Sequence, residues 1–256
     1  QFPMPFGSNI YLYLDLYFED ENSVRKAIEE AKYLNQKLKN NLSIVRITRP
    51  TTVQIMDLIK SELKYFPSIN LVIDYSNKGF AKIIKEDSRK NNIGMIMLTA
   101  EMFKYKEHTK SVLELKIPVF KFGKEKLKSI KRTVIVLNDT NSYEQISPIV
   151  FDISSQLKVK TKIFDLDPIG EKDGKSTLLD HFENLAKIFN EKLEVVTSGE
   201  NPIRELKKQR NMLQILPLKD EMFKKRFSFK FLYTNSDFIA FDMNKFNQLL
   251  IPIVEE

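Results

Sequence analysis

The chain has 256 residues, of which 42% are hydrophobic and 29% are charged, and its net charge is +7. These values are ordinary for a globular protein of one large or two small domains, and no apolar run approaches the roughly 20 residues that span a bilayer. The absence of Cys excludes disulfide bonds, thiol nucleophiles and thiolate metal sites.

Apolar runs alternate with helical patterns through the first half of the chain, after a tether at residues 1–8 that contains Pro and Gly. Strands are predicted at residues 9–18, 42–48, 69–74, 93–98 and 117–122. Helices are predicted at residues 24–39, 51–65, 80–91 and 106–115, from apolar positions at helical spacing. Because strands that alternate with helices pair in parallel, this half predicts an open α/β sheet with helices on both faces.

A basic segment follows at the middle of the chain. Lys121–Arg132 contains six Lys or Arg residues and one acid, Glu125, which gives it a charge of +5. Residues 1–120 carry +4 and residues 133–256 carry −2, so the positive charge is concentrated at this junction. We expect a solvated linker here, whose charge would also allow contact with an anionic membrane surface. Nucleic acid is not expected as a partner, since no recognition motif and no basic patch with interleaved aromatic residues is present.

The second half repeats the order of elements. Strands are predicted at residues 133–137, 159–164, 193–197, 212–218 and 238–242. Helices are predicted at residues 143–157, 176–192, 201–210 and 223–234, although the alternating aromatic residues of the last segment would equally suit a strand packed on a partner. We therefore expect two tandem parallel sheets of five strands each, packed as a pseudo-dimer.

The predicted domain borders follow from this repeat. The first domain covers residues 9–123, the linker residues 124–132 and the second domain residues 133–256.

Three segments resemble the universal stress protein family. Leu16–Ala27 has a strand, an acidic turn and a helix, as at the opening of that domain, and Thr133–Ser142 is similar. Thr109–Phe120 is similar to its ending, a serine-containing helix followed by a Pro-Val strand. The resemblance covers nearly the whole chain as two copies. It implies a universal stress protein-like fold, related to the adenine nucleotide alpha hydrolases, whose terminal strand pairs with another copy.

The departures from that family concern its nucleotide site. ATP-binding members have a Gly-x-x-Gly turn after the fourth strand, where glycines let backbone amides approach the phosphates. The corresponding segments here, Thr99–His108 and Lys219–Phe227, contain no Gly. ATP bound in the usual manner is therefore not expected, and an adenine nucleotide would need other loops. No cofactor and no catalytic activity are expected.

Degenerate tandem copies of this domain look like the cytoplasmic tails of bacterial cation/proton antiporters. The resemblance implies a non-catalytic regulatory module on the cytoplasmic side of a membrane. Its partner would be an upstream membrane domain or another copy of itself, as a homodimer. The alternative is a free-standing universal stress protein that binds AMP or ATP through non-standard loops. A third alternative, a nucleotidyl hydrolase or transferase, lacks a convergent catalytic set in the sequence.

Candidate ligand-binding residues lie after predicted strands, where α/β sheets bind their ligands. The turn at residues 198–201 is the strongest of them for an anion, because it contains Gly and leads to Pro202 at a helix start. An N-capping turn would explain the same residues, and we favour that interpretation. The candidates are Asn138 and Asp139 after the sixth strand, Asp74, Lys78 and Gly79 after the third, and Ser198, Gly199 and Asn201 after the eighth.

Two other groups allow metal chemistry in principle. Asp15, Glu19, Asp20 and Glu21 could hold Mg²⁺, but acids at the start of a helix are stabilising without any metal, and we favour that interpretation. The two histidines, His108 and His181, lie in different halves, so no metal site is expected from them.

Overall fold

A computed structural model describes residues 9–38, 42–137, 140–165, 184, 187, 194–197, 202–218, 239 and 242–254. The chain divides into two compact units, Gln1–Lys128 and Ser129–Glu256, which are called the first unit and the second unit below. Their border lies within the predicted linker.

The first unit is an open parallel sheet. Its strands are β1 (Asn9–Asp15), β2 (Leu42–Thr48), β3 (Ile69–Asp74), β4 (Ile93–Thr99) and β5 (Val119–Phe122). They pair in parallel in the order β3-β2-β1-β4-β5. The helices are α1 (Glu21–Lys37), α2 (Val53–Leu63), α3 (Phe80–Lys90), α4 (Ala100–Phe103) and α5 (Lys106–Leu113).

The second unit has the same arrangement in its described residues. Its strands are β6 (Arg132–Leu137), β7 (Lys160–Asp165), β8 (Glu194–Thr197), β9 (Met212–Leu218) and β10 (Asn247–Pro252). They pair in parallel in the order β10-β9-β6-β7-β8. The helices described here are α6 (Thr140–Leu157) and α7 (Pro202–Lys208). The predicted α/β class with parallel sheets is confirmed, and the packing as a pseudo-dimer stays a prediction.

The central strand of the first unit shows why the sheet needs helices on both sides. Every residue of β1 after Asn9 is buried, and its apolar side chains alternate between the two faces of the sheet. Such a continuous apolar strand is stable in water only when both faces are covered. The sequence pattern and the packing therefore agree at this strand.

Local capping explains where the first helices begin. The carboxylate of Asp20 accepts a hydrogen bond from the backbone amide of Ser23 at 2.7 Å, and so caps α1. The hydroxyl of Thr52 accepts one from the amide of Ile55 at 3.3 Å at the start of α2. The interpretation of the acids near residue 20 as residues of a helix start is confirmed for Asp20.

A polar contact between the first helix and the second strand occurs in both units. In the first unit, the amide of Asn35 donates to the hydroxyl of Ser43 at 2.8 Å. In the second unit, buried hydroxyls of Thr133, Ser154 and Thr161 lie 2.8 to 3.1 Å apart. Asn35 and Ser154 are each the fifteenth residue of their helix, so the repeat extends to this contact although the residue types differ.

The predicted position of the fifth strand of the second unit is wrong. It was expected at residues 238–242, but Ile239 and Asp242 are helical, and β10 runs over Asn247–Pro252 instead. Both segments are short apolar runs, which periodicity cannot tell apart. Polar residues at the start of β10 and Pro252 at its end made this segment unlike a buried strand in sequence. Asn247 and Gln248 are nevertheless fully buried in the sheet.

The basic connector is less exposed than its composition suggests. Lys121 belongs to β5, is fully buried, and lies with its ammonium 5.0 Å from the centre of the Phe103 ring. A buried side chain cannot contact a membrane, so the expectation of a basic surface over residues 121–132 is wrong for Lys121. Lys124, Lys126, Lys128 and Lys131 are exposed.

Two residues of α1 hold the connector to the first unit. The ammonium of Lys26 donates to the carbonyls of Gly123 at 2.8 Å and Lys124 at 3.1 Å. One turn further along, the buried carboxylate of Glu30 accepts from the amide of Leu127 at 2.7 Å. The linker is therefore bonded to a helix as far as Leu127.

Candidate functional site

The strand order determines where each sheet could bind a ligand. In each unit the first three strands are added towards one side of the sheet, and the fourth strand lies on the other side of the first. Open α/β sheets bind ligands at such a point, beyond the carboxyl ends of the first and fourth strands. In the first unit these ends are Asp15 of β1 and Thr99 of β4. The space beyond them, lined by Asp15, Glu19, Arg49, Thr99 and His108, is called the crevice below.

Asp15 has all of its bonding capacity used within the chain. Its carboxylate is fully buried and forms a forked ion pair with Arg49, with 2.7 Å between Oδ2 and Nη2 and 3.0 Å between Oδ1 and Nε. It also accepts hydrogen bonds from the backbone amides of Tyr17 at 3.1 Å and Phe80 at 3.0 Å. The bond to Phe80 caps α3, which has no side-chain cap from its own N-cap residue, Gly79. The chain's own carboxylate thus occupies this helix N-terminus.

Arg49 lies across the mouth of the crevice. Its guanidinium stacks 4.6 Å from the ring centre of Tyr17 and 5.2 Å from that of Phe18. A Cβ added to Gly79 would lie 3.4 Å from the guanidinium carbon, so the small residue there leaves room for the arginine. Arg49 has φ 47°, a left-handed backbone conformation that costs a non-glycine residue energy. Such strain is retained where surrounding contacts hold it, as the pair with Asp15 does.

The β4 side of the crevice is closed by Glu19. This buried carboxyl accepts a hydrogen bond from the hydroxyl of Thr99, which in turn accepts one from the amide of Met102 at 3.1 Å. Burial raises the pKa of Glu19 above its usual value, although the hydrogen bond from Thr99 acts in the opposite direction. The bond joins the loop before α1 to the end of β4, across the gap where a ligand would enter.

His108 fills the remaining space with aromatic packing. Its ring is buried and lies 4.6 Å from the ring of Phe18, 5.1 Å from that of Phe80 and 5.3 Å from that of Tyr105. Its Nδ1 is 3.0 Å from the carbonyl oxygen of Met102. Burial lowers the pKa of His108, which favours the neutral ring. With a neutral ring and a backbone partner, His108 is part of this aromatic packing.

The three predicted residues after β3 share one loop but have separate partners. Asp74 accepts hydrogen bonds from the amide of Ser76 at 2.9 Å and from its hydroxyl, and Arg46 lies 3.5 Å away. Lys78 forms an exposed ion pair with Glu86 at 2.8 Å. Gly79 begins α3 beside Arg49. The structure therefore does not bring Asp74, Lys78 and Gly79 to one binding point, and their role in ligand binding stays a prediction.

A second cluster of charges lies under α3 and was not predicted. Arg46 of β2 pairs with Asp87 of α3 through two bonds of 3.0 and 3.2 Å. The hydroxyl of Tyr13 donates to the same carboxylate at 2.9 Å. Burial and the charge of Asp87 raise the pKa of Tyr13 far above its usual range. These groups satisfy one another and attach α3 to the sheet.

The predicted residues of the second unit fall outside the described part of the chain. Asn138 and Asp139 follow the last residue of β6, Leu137; Ser198, Gly199 and Asn201 lie between the end of β8 and the start of α7. Their interpretation as an anion site stays a prediction. His181 and the aromatic residues 223–233 also lie outside the described residues.

The described residues show neither a metal-binding cluster nor a membrane-spanning helix. There, no three residues of the His, Asp and Glu types are grouped so that they could hold a metal ion. Within the same part of the chain, no helix combines the length and apolarity that crossing a bilayer requires.

The residue that sequence reasoning missed is Arg49. In the sequence, Arg49 simply follows the strand predicted at residues 42–48. Its left-handed backbone and its pairing with Asp15, 34 residues away, depend on the folded sheet. An acid after one strand and an arginine after its neighbour are the only signals in the sequence, and many α/β proteins share them.

Comparisons with known proteins address the fold. No protein-family model matches the sequence, and no curated protein matches it. Among solved structures, a protein of Pseudomonas aeruginosa UCBPP-PA14 that is assigned to the universal stress proteins has a TM-score of 0.63 at 10% identity, covering 95% of this chain and 92% of that one.

Two further structures agree with it. A universal stress protein from Archaeoglobus fulgidus DSM 4304 has a TM-score of 0.60 at 11% identity, covering 94% of this chain and 98% of that one. A functionally unknown protein from Pseudomonas aeruginosa PAO1 has a TM-score of 0.64 at 8% identity, with 94% and 92% covered. At such low identity the likeness concerns architecture alone. The chain has the fold of the universal stress proteins.

Proposed function

We propose that this chain is a non-catalytic regulatory or interaction module, and that it serves a membrane cation/proton antiporter or a related transporter. The observation that carries the proposal is the filled crevice of the first unit. Arg49 and Asp15 satisfy each other there, and Phe18 and His108 pack into the remaining space. Because these side chains bond and pack with one another, the first unit is assigned a structural and interacting role and not a ligand-binding one.

The absence of enzymatic activity rests on the state of the ionisable groups in the crevice. A general base or a nucleophile needs a free atom directed at a substrate. In the first unit Asp15 is bound by an arginine and two amides, and His108 is buried with a backbone partner. Glu19 accepts a hydrogen bond from Thr99 through Oε1, while its buried Oε2 has no hydrogen-bond partner among the described residues. This supports binding and scaffolding rather than catalysis.

Any sensing of a nucleotide or another anion is assigned by this proposal to the second unit. Its candidate residues follow β6 and β8, and they include a Gly-containing turn before α7. A glycine there allows backbone amides to approach an anion. The link to a transporter rests on the resemblance of degenerate tandem copies to antiporter tails.

Calorimetric titration with AMP, ADP and ATP tests the sensing part of the proposal. The test variants are Asn138→Ala with Asp139→Ala, and Ser198→Ala with Asn201→Ala; the matched control in the first unit is Asp74→Ala with Lys78→Ala. Binding that is lost in a second-unit variant and kept in the control supports the assignment. Binding lost only in the control, or release of phosphate or AMP from ATP by the purified chain, would overturn it.

Cross-linking in native membranes tests the transporter part. Recovery of a cation/proton antiporter with the tagged chain supports the proposal. Recovery of the chain alone, with tight binding of AMP or ATP, would favour the free-standing stress protein instead.

A further inference from the structure

The parallel strands of the second unit gather basic residues at one edge of the sheet. Arg132, the first residue of β6, pairs in register with Lys160, the first residue of β7, and with Met212 of β9. Asn247 of β10 pairs with Leu213 of β9. Because all of these strands point the same way, their first residues share the amino edge of the sheet.

Each of these four neighbouring strands is preceded or begun by a basic residue. The six residues at this edge, called the basic edge below, are Lys131 and Arg132 at β6, Lys158 and Lys160 at β7, Arg210 before β9 and Lys245 before β10. Five of them are exposed and Arg132 is half-buried. None of the three residues before each of these four strands is Asp or Glu, whereas the fifth strand, β8, begins with Glu194.

The backbone holds part of this edge in place. The amide of Lys131 donates to the carbonyl of Asn211 at 2.7 Å, which fixes the start of β6 beside the loop before β9. Lys158 and Asn211 both have φ 56°, the left-handed conformation that turns a helix end directly into the next strand. The basic residues are thus placed by ordered turns.

The charges of the basic edge are not neutralised by the described part of the chain. Within those residues, Lys131, Arg132, Lys158, Lys160 and Arg210 form no ion pair. Residues 133–256 carry −2 overall, so the positive edge arises from topology and not from a general excess of Lys and Arg. Four adjacent strands about 4.8 Å apart spread the six charges over roughly 15 Å.

A row of positive charges across four strands suits an extended surface of negative charge. Clusters of four to eight basic residues are typical of binding to anionic lipid headgroups. Single-stranded nucleic acid is a poorer fit, since stacking needs exposed aromatic rings. The large exposed aromatic side chains of the described residues, Tyr17, Tyr65, Tyr75 and Tyr105, all belong to the first unit.

We propose that the basic edge of the second unit docks the module onto the anionic headgroups of a lipid bilayer. The inference deepens the proposed function, on which it rests for the presence of a membrane nearby. Lys131 and Arg132 are the two connector residues that take part, while the buried Lys121 does not.

Sedimentation with vesicles tests the proposal. Phosphatidylcholine vesicles with and without phosphatidylserine are mixed with the whole chain, its triple variant Lys158→Glu, Lys160→Glu and Arg210→Glu, and a control triple variant, Lys60→Glu, Lys82→Glu and Lys85→Glu. The control changes the net charge equally at exposed positions of the first unit. Circular dichroism checks that both variants fold.

We expect binding that requires phosphatidylserine, weakens as salt rises, and falls at least about tenfold in the edge variant but not in the control. No binding at low salt, or equal losses in both variants, would overturn the proposal. So would tighter binding to duplex DNA than to the anionic vesicles. The assay contains no transporter and no nucleotide, so its failure is separate from failure of the proposed function.

Discussion

Arg49 and Asp15 form a forked ion pair at the carboxyl end of β1, in which the carboxylate has no solvent exposure and its Oδ2 lies 2.7 Å from Nη2. The same carboxylate caps α3 through the amide of Phe80. One side chain therefore joins β1, the end of β2 and the start of α3. Open α/β sheets bind ligands beyond such strand ends, and in this unit the protein's own side chains bond to one another there.

Replacing Asp15 by Asn should destabilise the chain strongly. Asn keeps the shape of the side chain but removes the charge that neutralises Arg49. Its amide NH2 group also cannot accept the hydrogen bonds that one carboxylate oxygen of Asp15 accepts. Because Arg49 is about one-quarter exposed, we expect the lower part of the range for broken buried pairs, about 3 kcal/mol in urea unfolding. Asp20→Asn is the matched control, since Asn caps a helix as well as Asp. A loss at Asp15 no larger than at Asp20 would contradict the prediction.

The left-handed backbone at Arg49 predicts an unusual order of stability. With φ 47°, glycine suits this position better than alanine. Both variants lose the ion pair, but Arg49→Gly should be about 1 kcal/mol more stable than Arg49→Ala in urea unfolding. At Arg46, inside β2, the order should be reversed, because glycine weakens a strand. The same order at both positions would show that strain at Arg49 has no measurable effect.

Burial of Glu19 predicts a slope in stability with pH. The unfolded chain holds this group at its ordinary pKa, whereas burial raises the pKa in the folded chain. Between the two pKa values the folded chain binds more protons, so the free energy of unfolding falls as pH rises. Glu19→Gln should flatten that part of the curve, measured by urea unfolding across the acidic range. Asn22→Ala, which changes an exposed, uncharged side chain of the same helix start, should leave the slope as in the parent chain.

The bonds from α1 to the connector predict protection from trypsin. Trypsin has four exposed cleavage sites in the connector, at Lys124, Lys126, Lys128 and Lys131. Lys26 and Glu30 bond to the backbone of this segment at Gly123 and Leu127. Lys26→Met keeps the apolar stem but removes the donor, so cleavage in the connector should be about fivefold faster.

Two neighbours of these residues supply the controls for proteolysis. Arg25→Met and Glu29→Ala alter exposed positions on the same helix, whereas Glu30→Ala removes the acceptor of the Leu127 amide. Only Lys26→Met and Glu30→Ala should speed cleavage. Equal rates for all four variants would mean that the connector is held by other contacts.

A pair of buried glutamines predicts strong coupling in the second unit. The amide of Gln248 donates to Gln214 at 2.9 Å and to the carbonyl of Ile239 at 2.6 Å. Gln248→Leu leaves these acceptors buried without their donor, which should cost about 2 kcal/mol of unfolding free energy. Replacing both glutamines by Leu should cost less than the sum of the single changes. Additive losses in a double-mutant cycle would refute the coupling.

Much of the fold was predictable because its signals are local. Apolar runs such as residues 93–98 and the cap at Asp20 depend on neighbouring residues, so their elements were located within a few positions. The failure at β10 is also instructive. Its Gln248 is buried and donates hydrogen bonds to Gln214 and Ile239. A local hydrophobic pattern does not indicate partners that lie elsewhere in the chain.

The candidate site was less predictable than the fold. Asp74, Lys78 and Gly79 were candidates because they follow β3, but Asp74 bonds to Ser76 and Lys78 pairs with Glu86. Arg49, which closes the crevice, was overlooked because its partner Asp15 is distant in the chain. Ion pairs across a sheet depend on register, which composition does not reveal.

The parallel α/β class, the elements of the first unit apart from α4, and the lack of thiol chemistry were determined by the amino-acid sequence alone, since hydrophobic period and composition are properties of short segments. Only the tertiary structure decided that Arg49 fills the crevice, that Lys121 is buried in β5, and that the basic residues of four strands meet at one edge. The physical reason is the same in each case. Parallel pairing brings together residues far apart in the chain, and their charge and burial are set by the neighbours they meet there.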